Sequence, residues 1–310
     1  MSERPRILVI RGGAIGDFIV TLPAIRLLRE AFPNAHLEIL GYRHIVALAE
    51  NRFYANGTRC IEYGPLSAFF AKGATLPEDL IDYFGSFQQV VSYLFDPDQI
   101  FEDNVRRAGV KHFLHGSPKV DDSAHATVQL ARPLERIALY LEDEAPRIFP
   151  HAGDDATAAA LLEKHDGPWW AIHPGSGSER KNWPAENWLA LSREILDARP
   201  NIHLALVGGE ADRAVLADFE RLLPHARITF WVDQPLPVLA AAIARCERFA
   251  GHDSGVSHLA AAVETPCVLL FGPTDPDVWA PRNDRVQVIK APDADLSRIT
   301  VDEVLAAFLD

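Results

Sequence analysis

The sequence is poor in cysteine and in positive charge. Its three cysteines, Cys60, Cys246 and Cys267, form no CxxC pair, which argues against a disulfide framework or a zinc site. The chain carries 30 Lys and Arg against 43 Asp and Glu, a net charge of −13 over 310 residues. This shortage of basic residues disfavours nucleic-acid binding and a polybasic membrane anchor. An anionic ligand is still compatible with it, because a few local cations suffice.

Long apolar runs are also missing. No stretch approaches the length of a membrane-spanning helix. The N-terminal run RILVI at residues 6–10 is too short for the apolar core of a signal peptide and leads directly into a strand pattern. We therefore expect a cytoplasmic protein with reduced thiols.

What the sequence does contain is the alternation of strands and helices typical of an α/β protein. The strand at residues 6–10 is followed by apolar residues at three-residue steps, which predict one helix over residues 18–32. The strand HLEIL follows at residues 36–40. A strand, a helix and a second strand in such close succession predict a parallel sheet.

The alternation restarts after a segment rich in proline, glycine and acids at residues 143–155. A chain of 310 residues fits two domains, with one large α/β domain as the alternative. We predict a first domain over residues 1–150, a second over residues 151–295 and a terminal helix within residues 296–310. The first 150 residues hold 16 basic and 19 acidic side chains and the rest hold 14 and 24, so their net charges are −3 and −10.

A glycine-rich loop follows the first strand and ends on an acid. Gly12, Gly13 and Gly16 do not fit G-x-G-x-x-G, because Arg11 stands where the first glycine is required. A dinucleotide site of that type is therefore disfavoured. Asp17 is either a helix-capping acid or a functional carboxylate at the carboxyl end of a parallel strand.

Two loops in the second half also follow predicted strands. The loop of residues 173–184 contains Ser176 and Lys181 and is either an anion-binding loop or a solvated surface loop. Glu210 follows the strand at residues 202–207, where it is either a ligand for ribose hydroxyls or an acid favoured by the helix dipole. The residues alone leave both pairs of readings open.

The loop at residues 251–258 opens a helix of small residues. Free N–H groups at a helix N-terminus bind a diphosphate well, and His258 in the first turn could donate to the same anion. The spacing of its histidines fits no common zinc pattern, so we predict no metal site. The loop containing Thr274 follows the next strand and could line the same cleft.

Three segments, taken together, carry a family pattern. They read R-x-x-x-x-G-D-x-x-x-x-x-P within residues 6–23, H-P-G-S…K-x-W-P within residues 173–184, and D-S-G-x-x-H-L-A-A-A…F-G-P-T-D-P within residues 251–276. In order and spacing they resemble glycosyltransferase family 9, the ADP-heptose:lipopolysaccharide heptosyltransferases and their relatives. The resemblance covers residues 5–45 and 168–292.

The resemblance implies a GT-B fold. In that fold two Rossmann-like parallel-sheet domains face each other across a cleft, and the last helix often packs back on the first domain. The first domain takes the acceptor and the second takes the nucleotide sugar. By position, Asp17 matches the general base of the family.

The remaining site residues are also carried over by position. The resemblance implies a donor and nucleotide site formed by Ser176, Lys181, Glu210, Asp253, Ser254, Gly255 and His258. The loops lining the cleft contribute Gly12, Gly13, Gly16 and Thr274.

The implied reaction is an inverting, metal-independent sugar transfer without a cofactor. The donor would be ADP-heptose and the acceptor a lipopolysaccharide core or related glycan. A sugar-nucleotide epimerase on the same fold and a non-catalytic nucleotide- or glycan-binding module remain alternatives. The expected partners are thus a nucleotide sugar and a glycolipid or glycan acceptor, with no nucleic acid. Peripheral contact with the cytoplasmic face of the inner membrane is left open.

Overall fold

The chain forms two compact units, Met1–Glu144 and Ala145–Asp310. The computed structural model describes residues 4–163, 165–223 and 226–310. Each unit contains one parallel β-sheet whose strands are connected through helices. These are two Rossmann-like domains, which confirms the α/β class predicted from the alternation of strands and helices.

The first unit is built on a parallel sheet with its most apolar strand at the centre. In its described residues the strands are β1 (Arg6–Arg11), β2 (His36–Gly41), β3 (Gly57–Cys60), β4 (Gln89–Ser92) and β5 (His112–His115). Their order in the sheet is β3-β2-β1-β4-β5. Residues Ile7 to Ile10 of β1 are at most 3% exposed, because a strand inside a parallel sheet is covered on both faces.

Helices fill the connections of the first unit. They are α1 (Ile15–Ile19), α2 (Leu22–Ala31), α3 (Arg43–Val46), α4 (Glu78–Gly85), α5 (Ile100–Arg107) and α6 (Ala126–Ala131), with 3₁₀ turns at Gly64–Phe70 and Arg132–Ile137. A core of side chains from β1, β4, α4 and α5 packs under the sheet, with Phe69, Phe84 and Phe101 in mutual ring contact.

The prediction of one continuous helix over residues 18–32 is wrong. The structure has two helices there, α1 and α2, separated by Val20 and Thr21. Pro23 stands in the first turn of α2, where a helix does not need the missing N–H, and Thr21 Oγ1 donates to the carbonyl oxygen of Asp17 at 2.7 Å. The break leaves Asp17 in a short helix directly after the glycine loop.

The second unit carries the longer sheet. In its described residues the strands are β6 (Trp169–His173), β7 (His203–Gly208), β8 (Ile228–Val232), β9 (Cys246–His252), β10 (Cys267–Phe271) and β11 (Val286–Lys290). All pairs are parallel, in the order β11-β10-β9-β6-β7-β8. The buried strands β6 and β9 are therefore neighbours at its centre, and their ends bring distant loops together.

The helices of the second unit are α7 (Ala152–Leu162), α8 (Ala185–Ala198), α9 (Arg213–Leu222), α10 (Leu236–Ile243), α11 (Gly255–Ala262), α12 (Pro276–Trp279) and α13 (Val301–Leu309). Short 3₁₀ turns lie at Glu179–Lys181, Glu210–Asp212, Pro292–Ala294 and Leu296–Arg298. Among the helices of the described residues, none has both the length and the apolar character needed to cross a membrane.

The terminal helix packs on the unit from which it emerges. Helix α13 contacts α8 and β10, and Val304, Ala307 and Phe308 are buried in the core of the second unit. Thr300 caps the helix through its side chain, as its spacing to Glu303 favours. The apolar face of this helix is used within the second unit. The expectation that the helix also packs back on the first domain stays a prediction.

Candidate active site

The predicted site residues lie at the carboxyl edges of the two sheets. In the first unit they follow β1, and in the second unit they follow β6, β7, β9 and β10. Ligands of open parallel sheets bind outside the carboxyl ends of the strands, so both edges are in the position expected of a binding site.

Asp17 lies in the first turn of α1 and uses its side chain locally. Its Oδ2 accepts from the backbone N–H of Ala14 at 2.8 Å, and its Oδ1 lies 3.5 Å from Arg11 Nη2. About a third of the side chain remains exposed, at 34%. Ala14, and not Asp17, is therefore the N-cap residue of α1. The Asp17 carboxylate binds the N–H of that residue from the third helical position and still presents a surface to solvent.

Arg11 holds this loop from beneath. It is buried at the end of β1, with its Nε and Nη2 each donating to the carbonyl oxygen of Asp17 at 3.2 Å. Its guanidinium lies over the ring of Tyr93, 5.9 Å from the centroid. Burial is the main influence on the pKa of Arg11 and lowers it, while Asp17 and Tyr93 act in the opposite direction. Arg11 is the arginine with which the family pattern begins, but the sequence analysis gave it no role of its own.

Gly13 is the glycine of this loop that the geometry requires. Its φ is +98°, and a Cβ placed on it would lie 2.7 Å from Asp17 Oδ2. Gly12 is less restricted, with Leu94 Cδ2 3.7 Å from a Cβ built there. Gly16 lies within α1, one residue before Asp17.

In the second unit, three of the predicted donor residues form one cluster. Lys181 Nζ donates to Asp253 Oδ2 at 2.6 Å, and Asp253 Oδ1 lies 3.7 Å from His258 Nε2. Asp253 and His258 are buried, whereas 32% of the Lys181 side chain is exposed. Lys181 comes from the 3₁₀ turn after β6, Asp253 directly follows β9, and His258 is in the first turn of α11.

Asp253 is ionised in this arrangement. Burial is the largest single influence on its carboxyl and would raise the pKa. Hydrogen bonds and charges from His258 and Lys181 together outweigh burial and hold the pKa well below its usual range. The cluster therefore contains a buried anion that contacts the same two side chains that were predicted to meet a diphosphate.

Two polar atoms near this edge are buried without a hydrogen-bond partner in the described part of the chain. They are His258 Nδ1 and Thr274 Oγ1. Thr274 lies in the loop after β10, and His258 lies in α11, which follows β9. Because β9 and β10 are neighbours in the sheet, both atoms lie at the same edge. Buried polar groups are normally paired, so unpaired atoms at a sheet edge favour a ligand that supplies the missing partner.

Ser254 opens α11 and belongs to a buried chain of hydrogen bonds. Its Oγ accepts from the N–H of Ser257 at 3.3 Å and lies 3.2 Å from His173 Nδ1. The other ring nitrogen of His173 lies 3.3 Å from Asp212 Oδ2. Gly255, the first residue of α11, follows Ser254 directly. These bonds join the last residue of β6 to the segments that follow β7 and β9.

Asp212, rather than Glu210, is the acid that joins this chain. Its Oδ2 also accepts from the N–H of Gly209 at 2.8 Å. Burial, the largest influence, raises the pKa of Asp212, but the hydrogen bond and charge of His173 and the N–H of Gly209 bring the net pKa below its usual value. Glu210 is exposed two residues earlier. A Cβ on Gly175 would lie 1.7 Å from Asp212 Oδ1, so the loop approaches Asp212 too closely for any other residue.

Ser176 organises the loop after β6. Its Oγ lies 2.7 Å from both the carbonyl oxygen of Ser178 and Oδ1 of Asn182, and it accepts from the N–H of Ser178 at 3.2 Å. These bonds fold the loop back before Lys181. In this structure Ser176 shapes the loop that carries Lys181.

His252 fixes the same loop from the sheet side. Its Nε2 accepts from Trp183 N–H at 2.7 Å and lies 3.2 Å from Trp188 Nε1, and its Nδ1 is 3.2 Å from the carbonyl oxygen of Gly175. Burial lowers the pKa of His252 to about 3, although the bond to Gly175 and the nearby carboxylates oppose it. A neutral ring that donates from Nδ1 and accepts at Nε2 matches these partners.

The structure therefore brings together Lys181, Asp253, Ser254, Gly255 and His258, with Ser176 supporting the loop of Lys181. Glu210 follows β7 and Thr274 follows β10 at the same edge, and among the described residues neither bonds to that cluster. Asp17 and the glycine loop belong to the other unit. His173 and Asp212 were missed, although a histidine that ends a buried strand was a signal for the first of them.

Comparison with known proteins decides the family. The profile described as glycosyltransferase family 9 (heptosyltransferase) matches residues 107–300. The chain belongs to glycosyltransferase family 9. It is also 46% identical over 301 residues to lipopolysaccharide heptosyltransferase 3 of Escherichia coli, covering 88% of this chain and 85% of that protein.

Other family 9 proteins match a shorter part. The chain is 28% identical to lipooligosaccharide heptosyltransferase 2 of Haemophilus influenzae over 38% of its own length and 35% of that protein. The chain also spans only about a third of the length of the heptosyltransferases 1 and 2 of E. coli and Salmonella typhimurium that it matches.

Solved structures of family 9 proteins share the fold. ADP-heptose lipopolysaccharide heptosyltransferase II of E. coli superposes with a TM-score of 0.79 over 97% of each chain, at 18% identity. The family 9 glycosyltransferase of Veillonella parvula gives 0.78 over 99% of this chain and 97% of that one, also at 18% identity. At this level of identity the likeness supports the GT-B fold.

Proposed function

We propose that this protein is an inverting, metal-independent glycosyltransferase that moves a heptosyl group from ADP-heptose to a lipopolysaccharide core or related glycan. The observation that carries the proposal is the cluster of Lys181, Asp253 and His258 at the N-terminus of α11, with the buried Nδ1 of His258 unpaired. Membership of family 9 and the names of the heptosyltransferases it resembles support the sugar class.

The second unit would hold the donor by its diphosphate. The first N–H groups of α11 have no partner within the helix, and the helix dipole favours an anion there. Lys181 supplies a charge that is already positioned by Asp253, and His258 supplies a further donor. As the bond between the sugar and the diphosphate breaks, these groups stabilise the negative charge that develops on the leaving oxygen. Charge stabilisation by the protein itself is why we propose a reaction without a metal.

The first unit would supply the base. In our proposal Asp17 takes the proton of an acceptor hydroxyl while the oxygen attacks the anomeric carbon of the donor sugar. The new glycosidic bond forms on the face opposite the leaving nucleotide diphosphate, so the configuration inverts. The second oxygen of the carboxylate stays bound to the N–H of Ala14, which would fix the direction of the first.

The other site residues have supporting roles in this proposal. Ser176 orders the loop of Lys181, and Ser254 and Gly255 open the helix that meets the diphosphate. Thr274 Oγ1, buried and unpaired, would bond to the donor. Glu210, exposed after β7, would accept from the ribose hydroxyls.

The test is a product analysis with the purified protein. Incubation with ADP-heptose and a lipid-free core oligosaccharide should give the extended oligosaccharide and ADP in equal amounts. Conversion of the donor without an acceptor would indicate an epimerase instead, and binding without any conversion would indicate a non-catalytic module. In a thermal-shift comparison of ADP, UDP and GDP, we expect stabilisation by ADP. Stabilisation by UDP alone would reject ADP-heptose as the donor while sparing sugar transfer.

A further inference from the structure

An aromatic side chain stands exposed at the same sheet edge as Asp17. Phe95 follows β4, the strand that pairs with β1, and the N–H of Tyr93 donates to the carbonyl oxygen of Ile10 at 2.9 Å. Phe95 is 64% exposed, and among the large apolar residues of the described chain only Tyr140 is equally exposed. Ligands of open parallel sheets bind at the carboxyl ends of the strands, so an aromatic ring exposed at this edge is in a position to contact one.

The exposure of Phe95 does not come from a loose loop. On one side, Tyr93 is buried and its hydroxyl donates to the carbonyl oxygen of Leu130 at 2.7 Å. On the other side, the Asp96 carboxylate accepts from the N–H groups of Phe101 and Glu102 at 3.1 and 2.9 Å, which fixes the start of α5. The backbone is thus held on both sides of Phe95, and the ring is presented outward from a fixed position.

A lysine accompanies the ring. Lys119, in the loop after β5, places its Nζ 4.7 Å from the centroid of the Phe95 ring. Its backbone is held by Ser117, whose Oγ accepts from the N–H of Lys119 at 3.1 Å. Within the described residues no carboxylate lies within ion-pair distance of Lys119, so its ammonium can still donate to a ligand.

Phe95 lies in a loop that adjoins the glycine loop directly before Asp17. Tyr93 lies under the guanidinium of Arg11, which in turn is 3.5 Å from the Asp17 carboxylate. Leu94 lies beside the glycine loop, 3.7 Å from where a Cβ on Gly12 would be. A ligand that reaches Asp17 with one hydroxyl would therefore find the Phe95 ring on the neighbouring loop.

We propose that Phe95 is a stacking platform for a sugar ring of the acceptor and that Lys119 donates to the oxygens of that sugar. A pyranose ring has a face of C–H groups that carries little negative charge, and the face of an aromatic ring is electron-rich. Stacking removes apolar surface of both from water and fixes the plane of the sugar. This inference rests on the proposed function, since it names the surface that would position the acceptor for Asp17.

Substitution at Phe95 tests the platform. In transfer assays with ADP-heptose and a lipid-free core oligosaccharide, Phe95→Ala should raise the KM for the oligosaccharide roughly tenfold, the factor that corresponds to one lost aromatic contact. The KM for ADP-heptose and the midpoint of thermal unfolding should stay at the wild-type values. Phe95→Trp should restore the KM for the oligosaccharide, and Lys119→Met should raise it by a smaller factor of about three.

Phe32 provides the matched control. It is another exposed phenylalanine, at 40%, but it follows α2 and precedes β2, at the amino edge of the same sheet. Phe32→Ala should therefore leave the KM for the oligosaccharide unchanged. An equal increase in both alanine variants, or no increase in Phe95→Ala, would overturn the platform.

Direct binding separates this inference from the proposed reaction. Saturation-transfer NMR with the same oligosaccharide reports contact without turnover. Signals from the sugar that are strong with wild type and weak with Phe95→Ala support the platform even if no transfer from ADP-heptose occurs. Equal signals with both proteins reject the platform even if transfer proceeds.

Discussion

The two sheet edges differ in how firmly their candidate residues are enclosed. At the edge of the first sheet, Asp17 is 34% and Phe95 is 64% exposed. At the edge of the second sheet, His173, His252 and His258 are each at most 4% exposed, and each has a polar partner within the unit. The second edge is thus organised by its own contacts before any ligand binds, whereas the first presents side chains whose remaining partners must come from outside.

This difference fits the proposed reaction, in which the second unit binds the nucleotide sugar and the first unit binds the acceptor. A nucleotide sugar has a constant diphosphate, which a rigid set of charges and N–H groups can be built to meet. The second half has a net charge of −10, against −3 for the first, so the diphosphate would have to be held by local groups in an unfavourable field. One of these local groups is Lys181, and its positive charge is already compensated by the carboxylate of Asp253.

The largest effect should come from the first edge. Asp17→Asn keeps an oxygen for the N–H of Ala14 but cannot take a proton, so kcat for transfer should fall about 10²- to 10⁴-fold. The KM for ADP-heptose should hardly change, because the donor is assigned to the other unit. Steady-state kinetics with both substrates measure this. A kcat within a few fold of wild type, in a variant with an unchanged circular dichroism spectrum, would show that another group is the base.

Loss of the lysine charge at the second edge should come next. Lys181→Met removes a charge-assisted bond, so the KM for ADP-heptose should rise about 10- to 100-fold. It also leaves Asp253 buried with one partner fewer, which would destabilise the fold by itself. The double variant Lys181→Met/Asp253→Asn separates the two effects. Stability should recover in it while the donor KM stays high, and recovery of both would mean that Lys181 acts only as the partner of Asp253.

The sequence predicted single positions at both edges better than it predicted their partners. The glycine loop and Asp17 are contiguous with β1, so a local pattern was enough to place them at the carboxyl end of a strand. The pair of Lys181 and Asp253 spans 72 positions, and that of His173 and Ser254 spans 81. Such pairs depend on β6 and β9 being neighbours in the sheet, which no local pattern encodes. For the same reason Lys181 could be predicted as a cation but not as one already paired.

A single added methyl group should disturb the packing between the loop after β6 and Asp212 at the edge of the second sheet. Gly175→Ala would place a Cβ 1.7 Å from Asp212 Oδ1, and either the loop or Asp212 must move. We expect a loss of about 1–3 kcal/mol of stability in the second unit, together with weaker donor binding. Gly177, in the same loop, has open space around its Cβ position, so Gly177→Ala is the matched control. All six tryptophans follow residue 168, so their fluorescence during urea unfolding reports on this unit alone. Equal midpoints for the two variants would contradict a tightly fitted loop.

The smallest effect is a pH dependence confined to the second unit. Burial lowers the pKa of His252 to about 3, so the folded ring stays neutral while the unfolded chain takes up a proton below about 6.5. The stability linked to His252 is therefore complete above pH 6.5 and is lost as the pH falls towards 3, by at most about 1.4 kcal/mol per pH unit.

His252→Gln can still donate to Gly175 and accept from Trp183 but does not titrate. Between pH 6.5 and about 5, Asp212 and Asp253 stay ionised in the folded and in the unfolded chain. In this range the stability of the variant, followed by tryptophan fluorescence, should fall less steeply than that of wild type. Parallel curves for the two proteins would mean that His252 is not the buried neutral group that ties the donor loop to the sheet.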